Sequence, residues 1–522
     1  MARTASALRL LTAVTFLSRM LGYLRDMLIA WVFGTGFISD AFITAFRIPE
    51  FLRRLFAEGA FGMGFIPIYN ACLRREGSAG AERLAASTVQ VLALLLVPIM
   101  IVGLIGTPWI VRLIAPGYAS GSPVFDLTVE LTRIMWPYLF FVGLVACLAG
   151  FLNAHGHFAA PALAPVALNL VLITTLLAGI ALTLPTAARV KGLAIGVVVA
   201  GLAQLLIQFA ALRTRRLPLW SPVVPPHGDL GAVARMTVPT VMGTAAYQFN
   251  TVIGTLLASF LAPGSIAALF FADRLIQFPL GLFAFSAATA LMPGLSRQAA
   301  NSDWQHFNAS LQETLRLVWF ITLPAITGLV VLRVPIVQIL LERGAFSSNS
   351  TRLTSEALLC YGMGLWAYGG VRIVQTAFYA LEDPRTPLKA AGSGMAINLV
   401  VGAGLMSAMG HKGIALGGAC AAVTNLGILL IALRRRIGTL GGKTTISGFI
   451  KAAGCSVAMG FMVAGLRQSM RFDYQSDLAA AGLQLLACVG AGATSYLVLA
   501  WLCRSHELRA LFRIVRQKGL GR

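Results

Sequence analysis

The sequence predicts an all-α polytopic membrane protein: fourteen transmembrane helices, arranged as two parallel-repeat six-helix lobes plus two extra C-terminal helices. Three observations predict it. Of 522 residues, 57% are hydrophobic and only 11% charged, against about 25% charged residues in soluble domains. Apolar runs of bilayer length, about 20 residues each, follow one another with short connections. The first half of the chain recurs in the second at an offset of roughly 225 residues. This composition excludes a soluble enzyme, a disordered chain and a nucleic-acid-binding domain of ordinary make-up. The net charge of +22 would suggest nucleic acid in a soluble protein; in so apolar a chain the positions of the basic residues matter more than their sum.

Taken in order, the expected spans are 8–33, 39–70, 86–113, 128–153, 159–184, 191–212, 233–261, 265–295, 313–341, 353–381, 386–409, 412–433, 446–466 and 479–502. The segment Met1 to Arg9 is short and basic with no small-residue cleavage site after it, so the first span reads as a retained helix rather than a signal peptide. The first two spans are weak in hydropathy because they carry several charges, whereas the third to sixth and eleventh to fourteenth are clear. The longest connection, Arg213 to Leu230, contains Pro218, Pro222, Pro225 and Pro226 and reads as a linker. The expected divisions are therefore 1–217 (first lobe), 218–437 (second lobe) and 438–522 (the last two helices and a basic tail). Basic residues gather at the N-terminus and at 74–83, 213–216, 297, 385–389, 434–443 and 504–522. These ends all fall on one side if the N-terminus is cytoplasmic, so the positive-inside rule gives N-in and C-in. The tail from Arg504 to Arg522 then reads as a topology signal at the lipid headgroups rather than a nucleic-acid site.

The repeat is carried by matches in order. Pro98 recurs as Pro324, Pro108 as Pro335, and Pro161 as Pro387. Ala45-Phe46-Arg47-Ile48 resembles Ala272-Asp273-Arg274-Leu275, and Ala167-Leu168-Asn169 resembles Ala396-Ile397-Asn398. Lys191-Gly192-Leu193-Ala194-Ile195-Gly196 matches Lys412-Gly413-Ile414-Ala415-Leu416-Gly417, and Ala211-Leu212-Arg213 matches Ala432-Leu433-Arg434. Each copy holds six helices. An even number makes both copies enter from the same side, so a pseudo-two-fold axis along the membrane normal is expected, an arrangement suited to alternating access.

Charges at membrane depth cost about 2.5 kcal/mol or more each and mark functional positions by default. Here they concentrate in three spans. The first holds Arg19, Arg25 and Asp26. The second begins near Asp40, expected to cap its own helix, and holds Arg47, Glu50, Arg53, Arg54 and Glu58. The eighth holds Asp273 and Arg274. At about 100° per residue, Arg19 and Asp26 point within about 20° of each other and Arg25 about 120° away. Arg47, Arg54 and Glu58 share a stripe about 40° wide, with Arg53 about 120° off it. Gly22, Pro49 and Pro279 are the places where bending would re-aim these side chains. One reading is structural ion pairing between helices through Asp26, Glu50, Glu58 and Asp273. The other is a polar cavity for an anion. The basic residues here are all arginine, whose planar fork binds phosphate oxygens bidentately and cannot deprotonate to escape burial, so phosphate or diphosphate is the natural candidate.

Other chemistries lack their residues. The seven cysteines form no CxxC pair and read as small core residues, and the six histidines have no metal-site spacing. Gly442-Lys443-Thr444 would need a glycine at 437 to be a phosphate-binding loop, and that residue is Ile437. Energy must therefore come from a gradient, the membrane potential or the substrate.

The segments Ser18-Arg19-Met20-Leu21-Gly22-Tyr23-Leu24-Arg25-Asp26, Ser39-Asp40-Ala41-Phe42, Phe46-Arg47-Ile48-Pro49-Glu50-Phe51-Leu52-Arg53-Arg54-Leu55-Phe56-Ala57-Glu58-Gly59-Ala60-Phe61 and Phe271-Ala272-Asp273-Arg274-Leu275 resemble the MurJ (MviN) family. The resemblance extends over essentially the whole chain. It implies a MATE-like, V-shaped fold of the polysaccharide-exporter superfamily, two lobes around a cationic cavity, and a groove for a lipid tail beside the last two helices. It implies a lipid II flippase of the bacterial inner membrane, not an enzyme, with no cofactor. Carried over by position, Arg19, Arg25, Arg53 and Arg274 would bind the diphosphate, with Asp26, Asp40, Arg47, Arg54, Glu58 and Asp273 supporting or gating. Glu50 stands where the family has Asn, and Gly62 where it has Ser. Lipid II, membrane lipids and cell-wall synthesis proteins are the implied partners, and nucleic acid is not one. The coupling ion, whether sodium, proton or chloride, stays open, as does any metal. The rival readings are a cation-coupled multidrug exporter of MATE type, against which the arginine excess argues, a flippase for another lipid-linked oligosaccharide, and a lipid-regulated scaffold.

Overall fold

A computed structural model describes residues 2–57, 60–214, 227–438, 442–470 and 477–510. All regular structure among them is helical. The chain divides into two compact units, Met1–Ala267 and Ala268–Arg522.

The first unit holds α1 (Ala2–Phe33), α2 (Phe37–Ala57), α3 (Ala60–Ile114), α4 (Pro123–Met135), α5 (Tyr138–Ala154), α6 (Ala159–Ala181), α7 (Thr186–Thr214) and α8 (Leu230–Ala258). Helix α9 (Ser265–Pro279) starts at its end and continues into the second unit. The second unit adds α10 (Phe285–Ala300), α11 (Trp304–Val331), α12 (Arg333–Leu341), α13 (Ser348–Gly362), α14 (Leu365–Ala380), α15 (Arg385–Met409), α16 (His411–Ile437), α17 (Gly442–Ser469) and α18 (Leu478–Leu502).

Among the described residues, nine helices are long and apolar enough to cross a membrane, and α13 with α14, bent by 47°, makes a tenth crossing if taken as one. The other expected spans involve α1, α2, α8 and α9 with α10, where polar or charged side chains lower the hydropathy. Helix α3 has 55 residues, about 80 Å at 1.5 Å per residue, far more than one bilayer. It is kinked at Gly77, whose φ of 73° and ψ of −172° lie outside helical space and suit a residue without Cβ. The second expected span therefore runs through α2 into the first part of α3, and the third follows Gly77.

The expected bends fall differently. Helices α1 and α2 run continuously through Gly22 and Pro49. Only Pro279 interrupts its helix, being followed by a π-helical turn, Leu280–Ala284, one of the usual ways to relieve a proline inside a span.

Each unit has its own core. In the first, Phe61, Phe65 and Tyr69 stack four residues apart along α3 at 5.6 and 5.5 Å, and Tyr69 meets Phe151 of α5 edge-on at 5.4 Å. Helix α8, which opens the second copy of the repeat, packs on α3 and α2 in this unit. In the second, Leu315, Val318 and Trp319 of α11 pack with Ala367, Val371 and Val374 of α14. Helices α17 and α18, outside the repeat, dock on α11: Tyr496 lies 5.0 Å from the Phe320 ring and donates its hydroxyl to the Phe320 carbonyl at 2.7 Å.

The repeated Lys-Gly-x3-Gly motif has the same work in both units. Lys191 at the start of α7 pairs with Glu130 of α4 at 2.6 Å, and Lys412 at the start of α16 approaches Glu356 of α13 at 3.6 Å. Gly196 in α7, and Gly413 and Gly417 in α16, let each helix close on its predecessor, as small residues do between membrane helices. A Cβ on Gly196 would lie 2.8 Å from Thr175 Oγ1, and one on Gly417 would lie 2.8 Å from the backbone nitrogen of Gly402. Backbone cannot yield as a side-chain tip can. Gly417→Val is therefore expected to destabilise the protein by about 1–3 kcal/mol, the range for overpacking. It should lower the melting temperature in detergent, whereas Gly404→Ala, where a Cβ meets nothing within 4 Å, should leave it unchanged.

Candidate functional site

In the first unit the candidate residues lie on α1 and α2. Arg25 and Asp26 are both buried, at 7% and 5% exposure. The Arg25 guanidinium donates Nε at 2.9 Å and Nη2 at 2.6 Å to one oxygen of Asp26, and Nη1 at 3.0 Å to Asn169 Oδ1 of α6. It also lies 5.7 Å over the Phe46 ring of α2. Asn169 in turn donates Nδ2 to the Ser18 carbonyl at 2.9 Å. One amide thus ties α6 to two levels of α1, and an ion pair is formed by the sequence neighbours Arg25 and Asp26.

Arg19 is in a different setting. It is exposed and lines a cavity of about 440 Å³ together with Thr15, Ser18, Asn153, Phe158 and Pro165. The cavity lining mixes apolar side chains with a cation, two hydroxyls and an amide, which suits an amphiphile with an anionic group.

On α2, Arg47, Arg53 and Arg54 are half-buried. Arg54 Nη2 reaches Glu50 Oε1 at 2.9 Å one turn earlier, so the residue standing in place of the family's Asn supplies an i,i+4 partner. Glu58 lies outside the described residues.

Asp40 corrects an expectation. It sits in the first turn of α2 at 3% exposure, but it caps a different helix. Its Oδ2 accepts from the backbone N–H of Gly264 at 2.6 Å and its Oδ1 from that of Ala267 at 2.8 Å, the first turn of α9. A carboxylate there satisfies orphan donors and meets the positive end of the helix.

In the second unit Arg274 and Asp273 are half-buried on α9. Gln277, one turn on, joins them: its Nε2 donates to Asp273 Oδ2 and its Oε1 accepts from Arg274 Nη1 at 3.4 Å. The Arg274 guanidinium lies 4.8 Å over the Phe270 ring, which shields a cation at depth.

Two polar residues beside these arginines, and a further arginine in the second unit, were missed from sequence. Asn169 was visible only as one letter of the repeat. Gln277 is uncharged, so it did not stand out. Arg372 of α14, its guanidinium 4.3 Å over the Phe285 ring, is a lone charge in an otherwise apolar helix. What these side chains can do is bind: one buried and several half-buried or exposed guanidinium groups offer an anion planar, bidentate donors.

A family model described as lipid II flippase MurJ matches residues 29–480. A probable lipid II flippase MurJ of Rhizobium meliloti (strain 1021) is 32% identical over 511 residues, 96% of this chain and 94% of that protein. A lipid II flippase MurJ of Burkholderia cenocepacia is 33% identical over 434 residues, 82% of this chain and 84% of that one. A solved structure described as lipid II flippase MurJ, inward closed conformation, is 26% identical with a TM-score of 0.79, covering 94% of this chain and 98% of the other. An inward-facing multidrug resistance MATE family transporter of the MOP superfamily, 16% identical with a TM-score of 0.69 over 81% of this chain and 96% of its own, shares the fold. The arginines of α1, α2 and α9 therefore stand in a multi-pass membrane chain that belongs to the lipid II flippase MurJ family.

Proposed function

We propose that this protein carries lipid II, the undecaprenyl-diphosphate-linked peptidoglycan precursor, from the cytoplasmic to the outer leaflet of the bacterial cytoplasmic membrane. The observation that carries the reading is the family match across residues 29–480. The arginines at membrane depth support it, because a diphosphate is the kind of anion such a set suits. In this reading Arg19, in its open cavity, meets the diphosphate early. Arg25, Arg53 and Arg274 hold it further along, with Asp26 and Asn169 fixing the Arg25 fork and Gln277 fixing Arg274. Asp40, Arg47, Arg54, Glu58 and Asp273 support or gate. Transport is by alternating access of the two repeats, with both termini cytoplasmic.

Chemistry at the substrate is not needed; energy for movement is. With the inside negative, an outward-moving net anion gains about 2.3 kcal/mol per charge per 100 mV, so two charges supply several kcal/mol without ATP. Two measurements test the reading. The gene should rescue a strain depleted of its own lipid II flippase, and failure to do so would overturn the assignment. In the rescued cells, collapsing the potential with an ionophore should stop appearance of the precursor on the outer face within the time the cells remain intact; undiminished flipping would remove the potential as driving force.

A further inference from the structure

We propose that Cys72, Glu76 and His227 form a binding site for one divalent transition-metal ion of the zinc type, oriented by Asp229 behind the histidine. Cys72 and Glu76 lie four residues apart on α3, hence on one face, just before the Gly77 kink. His227 comes from 151 positions further on, where the described chain resumes ahead of α8. The three donor atoms lie within 4.8 Å of one another. Cys72 Sγ is 3.9 Å from His227 Nε2, and His227 Nε2 is 3.0 Å from Glu76 Oε2. A tetrahedral ion with bonds of about 2.0–2.3 Å holds its ligand atoms about 3.3–3.6 Å apart, so the two histidine pairs need shifts of a few tenths of an ångström, and the Cys72–Glu76 pair, within 4.8 Å, closes by about 1 Å at most.

The surroundings leave the needed lone pairs available. Arg75 takes the other carboxylate oxygen of Glu76, Oε1, at 2.7 Å and leaves Oε2 for the ion. Arg75 also holds Asp229 Oδ2 at 2.6 Å, and that oxygen lies 4.0 Å from His227 Nδ1. A carboxylate behind a ligating imidazole is the usual outer partner at zinc. Ser87 Oγ accepts the His227 backbone N–H at 3.0 Å and fixes the chain there. Binding releases the Cys72 thiol proton to solvent. Without the ion, His227 Nδ1 accepts the Asp229 backbone N–H at 3.2 Å; with Nε2 on the metal the ring's one proton moves to Nδ1, which must turn from that N–H to the Asp229 carboxylate, 4.0 Å away. Thiolate and imidazole together select zinc-like ions over magnesium or calcium, and a water completes the fourth position. The ion pins the start of α8 to α3 at its kink, a cross-link independent of the arginine site and of the flippase reading.

The test uses the full-length protein in detergent, stripped with a chelator and carrying no histidine tag, titrated with Co²⁺. The expected result is one ion per chain with a thiolate-to-cobalt charge-transfer absorption that Zn²⁺ abolishes. Cys72→Ser should lose that absorption and Cys503→Ser should keep it. Asp229→Asn should weaken binding 10–100-fold, the usual effect of losing such an outer partner, with unchanged helical circular dichroism. Absence of a saturable absorption in the wild-type protein would overturn the proposal without any variant, as would an absorption that survives Cys72→Ser; the four side chains would then be an ion-pair clasp alone.

Discussion

Arg25→Ala is expected to abolish flipping and to weaken the fold at the same time. The two effects have separable causes. Arg25 gives Asp26 two hydrogen bonds, and both side chains are buried. Removing one member of such a pair typically costs about 3–5 kcal/mol, because a buried charge loses its counterpart. Loss of transport in the alanine variant would therefore say little alone. The informative comparison is the double variant Arg25→Gln with Asp26→Asn. It removes both charges, leaves polar groups able to bond each other and Asn169, and should recover membrane level and melting temperature. If Arg25 serves the diphosphate, the double variant should still fail to complement, since no cation remains at that point. Arg25→Lys should give the fold back in part and transport poorly, because one ammonium cannot span Asp26 and Asn169 Oδ1 as the planar fork does. Full complementation by the double variant would reduce the pair to a structural role and remove Arg25 from the anion site.

Much of this molecule was legible in its sequence, and the reasons are physical. Hydropathy reads spans because every backbone polar group in a bilayer must be satisfied within a helix. The repeat was legible in part because close helix contacts tolerate only glycine: Gly196 in α7 recurs as Gly417 in α16, each following a lysine that pairs with another helix of its unit. Charges at depth were legible because they are costly. Their partners were not. Helical periodicity pointed Arg19 and Asp26 the same way and Arg25 about 120° off, yet the long Arg25 side chain reaches its neighbour Asp26, and Arg19 lines a cavity. Asn169, Gln277, and the meeting of Cys72 with His227 depend on tertiary packing between segments far apart, or on uncharged groups that leave no mark in a hydropathy profile. Pro49 was a reasonable place for a bend, but α2 absorbs it, and the irregular turn follows Pro279 instead.

Asp40→Ala is expected to destabilise the protein strongly, because this side chain serves a helix other than its own. Its two oxygens hold the Gly264 and Ala267 N–H groups at 2.6 and 2.8 Å in a buried setting. Alanine leaves both donors without that acceptor, at about 1–3 kcal/mol each, and removes a negative charge from the N-terminus of α9, worth up to about 2 kcal/mol when partly buried. Asp40→Asn should fall between, since one oxygen can still accept from Ala267 while its NH₂ faces the Gly264 donor and cannot bond it. The melting temperature in detergent should therefore rank wild type, then Asn, then Ala. Amide exchange at Gly264 and Ala267 should accelerate in the same order, which a general loss of packing would not confine to those positions. Helix α9 also carries Asp273 and Arg274, two to three turns from this cap. Transport should fall with the cap even in the fraction of protein that stays folded, and an Asp40→Ala protein that melts and exchanges as the wild type does would show that the first turn of α9 is held without it.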